Sequence, residues 1–161
     1  MNESSAEYQK VMSYIDAHPA AVVSTTNDDG TPQASVVYAF TVSHHTVCFV
    51  TRNLTHKYQN IFERPEVAVT IFDERDISTL QATGTAFVAT DEHMLSYVMN
   101  KVEELYKVRG DSTSPIDKMQ HAGDYVLIGI EINKAKLTLY QGIDVNIDRS
   151  FTEISIGGVG V

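Results

Sequence analysis

The chain has 161 residues, 43% of them hydrophobic and 20% charged, the balance of a globular protein with a buried core. Twelve basic against 21 acidic side chains leave a formal charge of −9, which argues against nucleic acid, whose phosphates need a basic face, and against an anionic membrane surface. No apolar run approaches the roughly 18 residues of a membrane helix, residues 1–10 are too polar and acidic for a secretory signal, and the single cysteine, Cys48, excludes an internal disulfide framework; a cytoplasmic protein is the expectation.

No repeat, linker or low-complexity tract interrupts the sequence, so one domain over residues 1–161 is predicted, with an N-terminal helix within residues 1–19. Ser4 and Glu7 have the spacing of a capping box. Tyr8, Val11, Met12 and Ile15 then share one helical face, and His18-Pro19 stops the helix. Residues 20–26 (AAVVSTT) read as a strand closed by the turn signal NDDG. Residues 33–40 (QASVVYAF) and 46–51 (TVCFVT) continue as hairpins, so these strands are expected to be antiparallel neighbours.

After TRNLTHK (residues 51–57) a short helix is predicted, with Tyr58, Ile61 and Phe62 as its buried stripe and Arg64-Pro65 as its stop. Residues 66–72 (EVAVTIF) and 78–90 (STLQATGTAFVAT) are strands, the second with Gly84 marking a bulge or a close backbone approach. A further helix opens at Asp91, with Met94, Leu95, Val98, Met99, Val102, Leu105 and Tyr106 on its apolar face. Glu103, Glu104 and Lys107 lie opposite, and Gly110 is placed as a C-terminal cap. Residues 111–124 are a polar loop, residues 125–132 (YVLIGIEI) and 135–142 (AKLTLYQG) are two more strands, and the Gly-rich tail, residues 150–161, is expected to fray. Six to eight short strands whose helices do not alternate with them define a mainly β, α+β protein; closing the antiparallel sheet into a barrel removes its edges.

The junction at residues 51–57 concentrates chemistry on an otherwise acidic chain. Thr55 stands at the N-cap of the helix, whose first turn offers unpartnered N–H groups and the positive end of the dipole. With Thr51, Arg52, His56 and Lys57 it forms a candidate phosphate site. A Thr N-cap beside a solvated Lys accounts for the same residues without a ligand.

At these residues the sequence resembles the FMN-binding split β-barrel family, the pyridoxamine 5′-phosphate oxidase-like proteins. The likeness runs from about Ala20 to Gly142. It is carried by AVVSTTNDDGTPQASVVYAF, VCFVTRNLTHKYQNIFERPEVAVTIFD and STLQATGTAFV, with Thr55, Lys57 and Asn60 in the places of the family's Ser, Lys and Asn. The resemblance implies a six- to eight-stranded antiparallel split β-barrel, a homodimer with FMN at the subunit interface, and redox chemistry on a small molecule. It implies that Thr51, Arg52, Thr55 and Lys57 hold the phosphate. Ser35, Val36 and Val37 would line the flavin ring, and Thr79 and Gln81, on one face of their strand, would reach it from the partner chain. His56 is a further candidate contact. A non-catalytic flavin module, or a deazaflavin- or haem-binding relative, is the alternative. The founding enzyme of the family has Arg and Lys where this chain has Gln33 and Tyr38, and a C-terminal Arg-x-His that is missing from IDVNIDRSF, so formation of pyridoxal phosphate is not implied.

Elsewhere the residues read as structure. His44 and His45 lie in a turn without a metal-ligand frame, and His18, His93 and His121 are expected at the surface. Cys48 is expected to be a buried small hydrophobe. Asp28, Asp29, Asp73, Glu74 and Asp76 lack the spacing of a calcium loop and fit turns. No catalytic residue and no metal site is assigned.

Overall fold

The structure, a computed structural model, describes residues 3–108, 110, 118, 120–140 and 151–156, and of these not the side chains of residues 3–5, 120, 140 and 151–155. Helix α1 (Glu3–Ala17) leads into β1 (Ala20–Thr26), β2 (Pro32–Tyr38), the two-residue β3 (Phe40–Thr41) and β4 (Thr46–Arg52). Then come α2 (His56–Glu63), β5 (Glu66–Asp73), β6 (Ser78–Ala89), α3 (Glu92–Val108), β7 (Tyr125–Tyr140) and β8 (Phe151–Ile156). All eight strands join one sheet in the order β2-β1-β5-β6-β7-β4-β3, with β8 on β7. Every pairing is antiparallel. β2 comes back to pack beside β4, which curls the sheet into the split β-barrel expected from the sequence, flanked by helices.

Alternation along the strands builds the interior. Ala21 and Val23 of β1, Val67, Val69 and Ile71 of β5, Leu80 and Ala82 of β6, and Ile128, Ile130 and Ile132 of β7 form one cluster, to which α1 adds Val11, Met12, Tyr14 and Ile15. Each of the buried Val, Ile, Leu and Met side chains contributes about 1.5–3 kcal/mol of burial. A second cluster lies on the other side of β4, where Cys48 and Val50 meet Phe40, Leu127 and the α3 residues Val98, Val102 and Tyr106. β4 is therefore covered on both faces, which is why its sequence is a continuous apolar run instead of an alternating one.

Several expectations need correcting. Residues 125–132 and 135–142 do not form two strands: β7 runs unbroken from Tyr125 to Tyr140. Its register on β6 shifts between Thr83 and Gly84, which pair with Lys134 and Ile132, so Asn133 is the extra residue of a bulge. Asn133 donates to the Thr85 hydroxyl at 3.1 Å. Gly84 is the close approach: a Cβ there would sit against the Glu131 carbonyl oxygen and 2.7 Å from Ile130 Cγ2. Residues 151–156, placed in a fraying tail, form β8 on the edge of β7. The predicted strand at 33–40 is interrupted at Ala39, whose N–H bonds the Pro19 carbonyl at 2.8 Å.

Phe62 is not part of the buried stripe of α2; it is 73% exposed. It stacks on Tyr58 with ring centroids 6.4 Å apart, while Asn60 and Ile61 take the buried positions. The polar loop is described only at residue 118 and from residue 120 onward, and the Ser4 side chain of the predicted capping box lies outside the described residues. Gly110 acts as expected, with φ of 77° and its N–H on the Lys107 carbonyl at 3.1 Å.

Candidate functional site

The junction between β4 and α2 is built by two changes of direction. Thr51 lies on the side of β4 that carries Val47 and Phe49, toward the barrel interior, and is buried. Arg52 follows it and so faces the other way. Its guanidinium stacks 3.7 Å above the Tyr125 ring, and its Nη1 donates to the Gly123 carbonyl at 2.8 Å. Asn53 joins the same contact, exchanging hydrogen bonds with Asp124: backbone to backbone, and from the Asp124 N–H to Asn53 Oδ1, each at 3.0 Å. Arg52 thus braces the loop before β7 against the end of β4.

Thr55 has the extended backbone of an N-cap, with φ −84° and ψ 148°, but its hydroxyl makes no cap bond to the helix. It donates instead to the Arg52 carbonyl at 2.8 Å. The Thr51 and Thr55 hydroxyl oxygens are 3.3 Å apart, and Lys57 Nζ lies 3.4 Å from that of Thr51. Because Thr55 spends its proton on Arg52, the chain has one direction: the Lys57 ammonium donates to Thr51, Thr51 to Thr55, and Thr55 to the backbone. The N–H groups of the first turn of α2 are left without a side-chain cap, and no acidic residue stands in that turn to offset the dipole.

Lys57 gives the site its sign. The side chain is half-buried, and burial holds its ammonium below the ordinary 10.5. Among the described residues no carboxylate lies within ion-pair distance of Lys57; the ion pairs involve His18, Arg64, Lys101 and Lys107. A partly desolvated cation without a counter-ion is unfavourable by itself and favourable beside an anion. An ammonium and an uncapped helix start fit a phosphate, and the Thr51 hydroxyl joins them as a donor when it turns its proton from Thr55 to the anion.

The remaining candidates fall into two groups. Val37 points into the core and Ser35 shares its side, whereas Val36 projects outward and is 72% exposed. Thr79 and Gln81 lie on the outside of β6. Gln81 pairs with Thr70, Thr70 with Val22 and Val22 with Val36, one row across the outer face of four strands. Val36 and Gln81 are thus three strand spacings apart, about 14 Å. The structure therefore brings Thr51, Thr55 and Lys57 together and sets Val36 and Gln81 on a shared outer face. His56 is exposed at the first position of α2.

Asn60, matched to the family's Asn in the sequence, was not counted among the site residues. It is 6% exposed, and its carboxamide nitrogen faces Thr25, Asn27 and Gln33. The available signal was its match to the family's Asn, directly before the apolar Ile61. His18, expected at the surface, is partly exposed but tied on both ring nitrogens. Its Nε2 lies 2.8 Å from Asp73 and its Nδ1 2.9 Å from the Tyr14 carbonyl, tying α1 to the β5–β6 turn. His44 and His45 stay exposed in the β3–β4 turn.

The family model for pyridoxamine 5′-phosphate oxidase matches residues 8–139. The chain belongs to the pyridoxamine 5′-phosphate oxidase family. No curated protein matches it. Among solved structures, General Stress Protein 26 from Bacillus anthracis superposes with a TM-score of 0.60 at 18% identity, covering 92% of this chain and 96% of its own. A NimC/NimA family protein from Clostridium acetobutylicum gives a TM-score of 0.62 at 12% identity, covering 95% and 94%. An F420 reductase gives 0.58 at 20% identity, covering 76% and 93%. These likenesses show the fold. Among the described residues, no helix is long and apolar enough to cross a membrane.

Proposed function

We propose that this chain binds FMN as a homodimer and carries out oxidation and reduction of a small molecule. The observation that carries the reading is the half-buried Lys57 ammonium, without a carboxylate partner among the described residues, beside the Thr51 and Thr55 hydroxyls at the uncapped start of α2. In this reading Lys57, Thr51, Thr55 and the first amides of α2 hold the phosphate, and Arg52 keeps the wall behind them rigid. His56 stands at the rim. The β2 backbone at Ser35, Val36 and Val37 runs along the ring, with the outward Val36 side chain toward it, and Thr79 and Gln81 approach it from the second protomer.

Bound flavin supplies reversible two-electron chemistry at N5, and the protein binds, orients and shields it. The positions at which the founding enzyme carries Arg and Lys are engaged internally here. Gln33 Oε1 accepts from Asn60 at 3.1 Å, and the Tyr38 hydroxyl accepts from Tyr106 at 3.3 Å. This supports a substrate other than a pyridoxal phosphate precursor. The likeness to an F420 reductase supports a second reading, a deazaflavin in the same mouth.

The test is to purify the protein, record its spectrum, identify the released ligand by mass and follow bleaching by NAD(P)H. FMN that bleaches supports the oxidoreductase; FMN that does not marks a binding module, and a deazaflavin mass selects the second reading.

A further inference from the structure

Asn60 sits in the middle of α2 with its Nδ2 3.0 Å from the Thr25 hydroxyl, 2.8 Å from Asn27 Oδ1 and 3.1 Å from Gln33 Oε1. An amide nitrogen has two protons, so two of the three acceptors are bonded at any moment. All three belong to one unit: Thr25 to β1, Gln33 to β2 and Asn27 to the turn between them. Arg64, next after α2, donates from Nε to the Thr26 carbonyl at 2.9 Å in the same hairpin. The start of α2 is held differently, through Thr55 to the Arg52 carbonyl at the end of β4.

β1 and β4 are far apart in the sheet order, and β2 and β4 meet only across the split. α2 is therefore a strut over the split, with its first turn on one lip and its middle and end on the other. A helix of eight residues is too short to hold itself. Its rotation about its own axis is set by what it is tied to, namely Ile61 in the core and Asn60 on the hairpin.

We propose that Asn60 is a positioning residue for the anion mouth. Lys57 precedes it by three residues and so lies on the same helical face. The tether to Thr25, Asn27 and Gln33 fixes the direction in which the Lys57 ammonium and the first amides of α2 point. This rests on the reading of Thr51, Thr55 and Lys57 as a phosphate site.

The test compares FMN with riboflavin, which lacks the phosphate, in fluorescence titrations of the ligand-stripped protein. Wild type is expected to bind FMN more tightly. Asn60→Leu, which keeps the volume and removes the donors, is expected to shrink the FMN-to-riboflavin preference at least fivefold while riboflavin affinity changes less than twofold. The double variant Asn27→Ala/Gln33→Leu loosens the tether from the hairpin side and is expected to shrink the preference in the same direction; it decides the matter if Asn60→Leu does not fold. A preference retained in folded variants, or an equal loss of both ligands, overturns the positioning role alone. A wild type that binds both ligands alike, or neither, contradicts the phosphate mouth itself and takes this inference with it.

Discussion

The Lys57 ammonium donates to the Thr51 hydroxyl across 3.4 Å, so the first turn of α2 and the end of β4 share one hydrogen bond at the site where an anion is expected. Removing the ammonium should weaken FMN binding selectively. Lys57→Ala is expected to reduce affinity by about 1.5–3 kcal/mol, the worth of a charge-assisted hydrogen bond, or roughly ten- to hundred-and-fiftyfold. Titration with FMN measures this directly, and unchanged affinity removes Lys57 from the site.

The same residue should leave a signature in the ligand-free protein. Burial lowers the Lys57 pKa below 10.5, so between the folded value and 10.5 the unfolded chain binds more protons than the folded one. The contribution of Lys57 to stability therefore rises with pH across that window and is least favourable below it. Lys57→Met abolishes this dependence. The difference in Tm between wild type and Lys57→Met, followed in alkaline buffer, should shift in favour of wild type as pH rises. At neutral pH, without ligand, the variant should be at least as stable as wild type.

Cys48 should be inert. It is fully buried, its Sγ lies 3.7 Å from Met94 Sδ, and burial pushes its thiol up to about 11. A thiolate is the reactive form. A disulfide-exchange reagent should release no signal from the folded protein and one equivalent in denaturant, and prompt reaction of native protein would show that α3 does not cover β4 as described.

Two glycines make a paired test of the bulge. A methyl at Gly84 meets backbone at the Glu131 carbonyl, whereas one at Gly30, with φ of 82°, meets nothing within 4 Å. Gly84→Ala should cost about 1–3 kcal/mol by overpacking. Gly30→Ala should cost about 1–2 kcal/mol, the penalty of a left-handed L-residue. The diagnostic is the second step: Gly84→Val should lose a further kcal/mol or more, while Gly30→Asn, suited to that backbone, should recover most of the loss. Urea unfolding of the four variants separates the two mechanisms.

Local pattern was enough to recover most strands, because period-two alternation and turn signals such as NDDG act within a few residues. The place of Thr55 at the start of α2 was legible for the same reason. What escaped depended on partners far away in the chain. The unbroken path of β7 depends on a bulge that only its register on β6 reveals, and β8 is a strand because β7 offers it an edge. Phe62 looked buried by spacing, yet the arc of α2 that the barrel accepts takes Asn60 and Ile61 instead. The stacking of Arg52 on Tyr125 and its bond to Gly123 were not legible because they depend on a loop about seventy residues later in the chain. Asn60 stood out only as a match to the family's Asn; its structural role was hidden because its three acceptors come from the β1–β2 hairpin.

The most direct test of the account is the ligand content of the purified wild-type protein after incubation with FMN and removal of the free cofactor. The account predicts one FMN per protomer, identified by mass and absorbance, and its loss in Lys57→Ala. Wild-type protein that is folded and retains no flavin, or a Lys57→Ala protein that retains as much as wild type, would contradict it.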